Sequence, residues 1–195
     1  SIGPNATFSY ATARPRTLAR GAHFTAVTYH NPAMTLIAAD VRLGGLTGNN
    51  VQGEKIGSIV LRDVKIMTQT STISLDEVDL RNLVLPNTDR ASTDSSRPLG
   101  FDSLVLDNGT FANMHLAVPA SQTDVTVARM SVEQYGMGRA SHLDLDRLAT
   151  QINLTPTRRI SVEHIKIDGP DFASEVAIMS GSSASALSPF TCARY

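Results

Sequence analysis

Apolar residues alternate with polar ones in short bursts along this chain. Clear cases are Val125 and Val127, Ile160 and Val162, Ile165 and Ile167, Ile73 and Leu75, and Leu104 and Leu106. A period of two is the mark of strands with one face turned inward, and Val, Ile, Leu and Thr fill these bursts. Gly, Asn, Asp or Pro bounds most of them within a few residues, which predicts roughly ten to fourteen short strands. Helical spacing occurs once, in Leu145, Leu148 and Ile152 after Asp144 as a cap, and predicts at most one short helix near 144–152. The same stretch also reads as strand, because His142, Asp144 and Asp146 alternate with Leu143 and Leu145. Loops are expected at Gly44-Gly45 to Gly53, at Asn87 to Pro98, and in the Ser, Gly and Ala run from Ser180 to Pro189.

Beneath the alternation lies a step of five. Ile59 and Leu61 are followed by Val64 and Ile66; Ile73 and Leu75 are followed by Val78 and Leu80, then Leu83 and Leu85. Similar runs start at Leu104, Val125 and Ile160. On an uninterrupted strand Leu61 and Val64 would face opposite sides, so something must intervene. A bulge can restore the face, the strand can cross between layers, or the chain can turn a corner every five residues. A five-residue coil stacks units about 20 residues apart. At that offset Ile59 and Leu61 would meet Asp79 and Arg81, and Leu104 and Leu106 would meet Asp124 and Thr126. The expectation is therefore antiparallel strands with bulges near Arg62-Asp63, Asp76-Glu77 and Asp107-Asn108. The fold class that follows is all-β: an elongated antiparallel meander with bulges, of groove, sandwich or solenoid type.

The length of 195 residues suits a single β-rich module. Its polar loop 87–98 joins possible halves 1–86 and 99–180, and 181–195 reads as a flexible tail. With 17 Lys and Arg against 18 Asp and Glu, the chain has no basic footprint for nucleic acid. No apolar run approaches the length of a spanning helix, so no transmembrane segment is expected. The lone Cys192 excludes an internal disulfide and a zinc finger. The first residues, Ser1-Ile2-Gly3, carry no charged and apolar leader, so a signal segment is expected to have been removed.

Local motifs for chemistry are weak. Gly44, Gly45 and Gly48 lack the Lys of a phosphate loop, and Gly181-Ser182-Ser183-Ala184-Ser185 lacks the closing glycine of a nucleophile elbow. His23, His30, His115, His142 and His164 are scattered singly. The row His142-x-Asp144-x-Asp146 puts three ligand types on one strand face, but such a row reads as a solvated face, and no metal or other cofactor is assigned. A chain without Trp, and with four Tyr and six Phe, offers few platforms for sugars or for stacked bases. An apolar groove needs only aliphatic side chains on one face. The best candidates for its lining are Ile59, Leu61, Val64, Ile66, Ile73, Leu75, Val78 and Leu80.

Two resemblances bear on these patterns. Val78-Asp-Leu-Arg-Asn82 and Gly109-Thr-Phe-Ala-Asn113 resemble the unit of pentapeptide-repeat proteins, although bulky Ile59, Ile73 and Leu104 stand where that narrow coil holds small residues. The segments 57–66, 72–86 and 21–29 through 36–43 resemble AsmA-like and lipopolysaccharide-transport-type envelope proteins of Gram-negative bacteria. That resemblance implies a periplasmic or envelope-associated β-groove that shields acyl chains. Together the readings give a non-catalytic module, not an enzyme, that binds a lipid or another extended apolar ligand along its sheet, with a lipid or a membrane-associated protein as partner. The alternatives are a structural module that pairs through a sheet edge, and a hydrolase whose carboxylates meet only in the fold.

Overall fold

The computed structural model describes residues 6–49, 53–85, 104–154 and 156–179. Within them lie β1 (Thr7–Ser9), β2 (Thr12–Arg16), β3 (Gly21–His30), β4 (Met34–Asn49), β5 (Gly53–Thr68), β6 (Thr72–Leu85), β7 (Leu106–Val118), β8 (Thr123–Tyr135), β9 (His142–Ile152), β10 (Arg158–Asp168) and a helix α1 (Phe172–Met179). All ten strands belong to one antiparallel sheet in which each strand from β3 to β10 pairs with the next. β1 and β2 both pair with β3 and together form the first margin.

Two sequence expectations are corrected. Residues 142–152 form β9 and not a helix, and the only α-helix among the described residues is α1. The Gly44-Gly45 stretch is strand, since β4 runs to Asn49 and β5 starts at Gly53. Strand β6 pairs with β7 along most of its length, which joins the residues on either side of the polar loop in one sheet. The polar loop 87–98 and the tail 181–195 lie outside the described residues.

Local chemistry fixes the turns. Asn31 closes the β3–β4 hairpin, its Oδ1 accepting from the backbone N–H of Ala33 at 2.9 Å and of Met34 at 2.8 Å. Thr68 does the same between β5 and β6, where its Oγ1 accepts from the N–H of Thr70 and Ser71. Between β7 and β8, Pro119 opens a short 3-10 turn that Gln122 ends in a left-handed conformation.

The step of five has a backbone cause. Ala38 pairs with Val64 and Asp40 pairs with Arg62, so Ala39 and Asp63 drop out of the ladder together. One residue is omitted on each strand, and the register is the same on both sides. The same paired omission recurs across the sheet at Ala26, Ala39, Asp63, Asp76, Asn113, Ala128, Arg147 and Glu163. Positive φ falls on alternate members: Ala26 at 50°, Asp63 at 50°, Asn113 at 50° and Arg147 at 51°. A second line crosses the sheet six residues away, with positive φ at Gly45, Asn82 and Gln134. There Gly45 and Gly57 face each other so closely that a Cβ on Gly45 would stand 3.0 Å from the Cα of Gly57. The interruptions thus fall at the expected Asp63, Asp76 and Asp107. Their form is a symmetric bend, not the two-against-one count of an ordinary bulge.

Each bend has one local order: an inward residue, an outward one, the left-handed residue, then an inward one. Leu61-Arg62-Asp63-Val64 and Leu80-Arg81-Asn82-Leu83 are examples. Inward residues therefore line up across strands as apolar rows. One row joins Phe24, Val41, Leu61 and Val78, then Phe111, Met130, Leu145 and Ile165. Beyond the bend, Val27, Ala38, Val64 and Leu75 form the next row. These rows pack into one buried cluster of Val27, Ala38, Val41, Val64, Leu75 and Val78. No second layer of strands or helices lies over them among the described residues, so the cluster is built by rows of the one sheet that meet across the bend. The result is a trough with its apolar face inward.

Candidate functional site

All eight lining residues named from the sequence lie on the inner face, on the two central strands. Ile59 stands opposite Leu80, Leu61 opposite Val78, Val64 opposite Leu75, and Ile66 opposite Ile73. Directly opposed residues share a face, so they form a single aliphatic patch. Their burial is uneven. Val64, Leu75 and Val78, next to the bend, are buried, while Ile59, Leu61, Ile66, Ile73 and Leu80 are half-buried. Thus the bend fills its own corner, and the surface left over runs along the flanking rows.

Those rows extend past the eight residues to the whole span from β3 to β10. Leu43, Leu116, Val125, Leu143 and Ile167 continue them, and none of the four rows carries a charged side chain. At an inter-strand spacing of about 4.8 Å, the span is roughly 35 Å long. Its two ends differ. At the first margin Phe24 meets Phe8 and Tyr10 edge to face and Phe8 and Tyr10 meet at a tilt, with centroids 5.3 to 6.2 Å apart. At the other end Ile160 is 65% exposed, and Val162 and Ile167 are also open.

The outer face is polar and laid out in cross-strand pairs. Arg62 on β5 donates to Glu77 on β6 at 3.0 Å. His23 bonds Asp40, which also pairs with Arg42 at 2.8 Å. Partial burial alone raises the Asp40 carboxyl, but the hydrogen bond from His23 and the nearby Arg42 guanidinium together hold it below the usual carboxylate range. On β9 and β10, Asp146 faces His164, Asp144 faces Lys166 and His142 faces Asp168. His164 Nδ1 lies 2.9 Å from Asp146 and 3.5 Å from Asp144; the bond to Asp146, then the charge of Asp144, raise its pKa above the ordinary histidine value. Asp168 is lowered by its hydrogen bond with His142 at 2.8 Å.

Asp144, Asp146 and His164 bring three ligand atoms within 4.8 Å of one another, the one group with metal-ligand chemistry among the described residues. The sequence supplied two of them in the His142-x-Asp144-x-Asp146 row. It could not show the third, because His164 arrives from the neighbouring strand. In place, each imidazole is already held by a carboxylate, and Lys166 stands beside Asp168 at 3.4 Å. The cluster therefore acts as a set of register-locking pairs.

A shallow depression of about 550 Å³ lies at the bend of β7 to β10, floored by Ala128, Ala149, Thr126 and Ser161 and bordered by His115, Arg147, Arg159 and Glu163. A smaller one of about 290 Å³ overlies His142, Asp144 and Lys166. Neither assembles a nucleophile with a base. No helix among the described residues is long and apolar enough to cross a membrane. No protein-family model, curated protein or solved structure matches the chain.

Proposed function

We propose that the trough binds the hydrocarbon chain of a lipid and shields it from water, and that the protein is a non-catalytic module of the cell envelope. The observation that carries this reading is the set of uncharged aliphatic rows with no second layer over them among the described residues. Burying apolar surface stabilises by about 25 cal/mol per Å², so a half-open aliphatic row favours any occupant that removes it from water. Hydrocarbon is favoured over a protein partner by the lining. Protein hot spots concentrate Trp, Tyr and Arg. The inner rows hold no Arg, the chain holds no Trp, and the inner tyrosines on β3 to β10 are two, Tyr29 and Tyr135, both near strand ends. The envelope location rests on the resemblance to AsmA-like and lipopolysaccharide-transport-type proteins and on nothing else.

Native mass spectrometry of the protein purified without detergent tests the proposal. The expected result is adducts of lipid mass that organic extraction removes and that a fluorescent fatty acid replaces. Ile66→Glu places a charge on a half-buried row and should abolish uptake while leaving the fold intact. A protein that carries no lipid and takes up no acyl probe would overturn the reading in favour of a purely structural module.

A further inference from the structure

The margins of the sheet differ in kind. β1 and β2 close one side, where Pro15 lacks the N–H that a further strand would need and the aromatic cluster covers the trough. β10 has no such protection. It is eleven residues long, contains no proline, is exposed along almost its whole length, and pairs only with β9 among the described residues. All the apolar rows run out on it, at Ile160, Val162, Ile165 and Ile167.

The bends restrict what can pair there. Every bend matches a left-handed residue on one strand with an ordinary residue on the next: Ala26 with Ala39, Asp63 with Asp76, Arg147 with Glu163. Glu163 is the ordinary member, so the strand beyond it must supply the left-handed one. Among the described residues, neither margin of a second copy of this chain supplies it. Its β10 again offers Glu163, and its other margin offers Ala11, which faces the left-handed Ala26 and is itself ordinary.

We propose that β10 is a docking edge for a strand of a different polypeptide, with Gly, Asn or Asp at its bend. Alternation across the ladder gives the rest of its pattern. Apolar residues fall opposite Ile167, Ile165, Val162 and Ile160, and acidic residues opposite Lys166 and His164, ahead of the bend residue opposite Glu163. β9 meets β10 with this same order, setting Asp144 against Lys166 and Asp146 against His164. Adding such a strand lengthens each row of the trough by one residue whatever fills it, so the inference stands apart from the lipid reading.

The test uses a labelled synthetic peptide with the sequence of residues 142–152 carrying Arg147→Asn, added to delipidated full-length protein. Anisotropy should report saturable binding, and amide exchange should slow on β10. The same peptide with Arg147→Val should bind roughly ten-fold more weakly, since a β-branched residue resists the left-handed conformation. Ile160→Lys in the protein should abolish binding without shifting the thermal midpoint, as Ile160 is already exposed. Equal binding of the two peptides, or protection elsewhere than β10, would overturn the proposal. So would a dimer in light scattering that Ile160→Lys converts to monomer, since that would make a second copy the occupant. Lipid adducts in mass spectrometry remain a separate readout.

Discussion

The centre of the trough and its β10 end share one pattern and differ in surroundings. Val64 on β5 and Val162 on β10 both flank a bend residue, Asp63 and Glu163, in the same apolar row, yet Val64 is 2% exposed and Val162 is 37% exposed. Leu75 and Ile160 differ in the same way. The five-residue step decides only which way a side chain faces. How much water it loses depends on having a strand on both sides and on the bend folding the two rows together. A single-layer sheet thus has a core in its middle and an open apolar surface at its end, made of one kind of residue.

The largest expected contrast comes from a charge at matched positions. Val64→Asp buries an unpaired carboxylate and should cost several kcal/mol, on the order of the whole stability of a domain. Val162→Asp leaves the group able to reach water and should cost less than about 1 kcal/mol. Urea unfolding of the two variants measures both. Similar losses at the two sites would show that β10 is covered in solution. Truncation should give the same order on a smaller scale: Leu75→Ala is expected to cost about 2 to 4 kcal/mol, and Ile160→Ala well under half of that.

The bends themselves can be compared next. Asn113 on β7 is left-handed and Glu163 on β10 is not. Asn113→Val should destabilise by about 1 to 2 kcal/mol, because Cβ crowds the carbonyl in that conformation. Glu163→Val carries no such penalty and should be nearly neutral. Asn113→Gly should also be tolerated, although the Asn113 bond to Asp76 at 2.7 Å would be lost.

These bends explain what could be read in the sequence. Apolar residues three apart signify a helix when the backbone is regular. Across a left-handed residue they also share a face of a strand, and a further apolar residue four on keeps that face. Leu145, Leu148 and Ile152 satisfy both templates, and only Arg147 at φ 51° separates them. The signal available was Asp63, Asn82, Asn113 and Gly45, each a residue that tolerates positive φ, each preceded two back and followed directly by an apolar residue. Arg147, Gln134 and Ala26 do not advertise the conformation, so that signal covers only part of each line. The inner-face assignment of all eight lining residues was legible because it follows from alternation. Their uneven burial, and the pairing of His164 with Asp146, depend on cross-strand neighbours about 7 to 21 residues away along the chain and were not.

The smallest contrast is electrostatic and lies on the outer face. At the centre, the depressed pKa of Asp40 means that the folded state favours its charged form. That contribution is complete above the unfolded value of 3.8 and disappears as pH falls through the lower folded value. At the β10 end, His164 has a raised pKa, so its contribution is complete below 6.5 and is lost as pH rises through the higher folded value. The two act in opposite directions and in separate windows. Because His164 is open to solvent, its share should be small and should fade with added salt, as exposed pairs do within a Debye length of about 8 Å. Stability measured between pH 5.5 and 8.5 should therefore decline slightly in the native protein and stay flatter in Asp146→Asn, while Asp40→Asn should change only the acid limb. An Asp146→Asn profile that kept the same decline would assign it to another histidine and remove the pair from the register-locking role given to it.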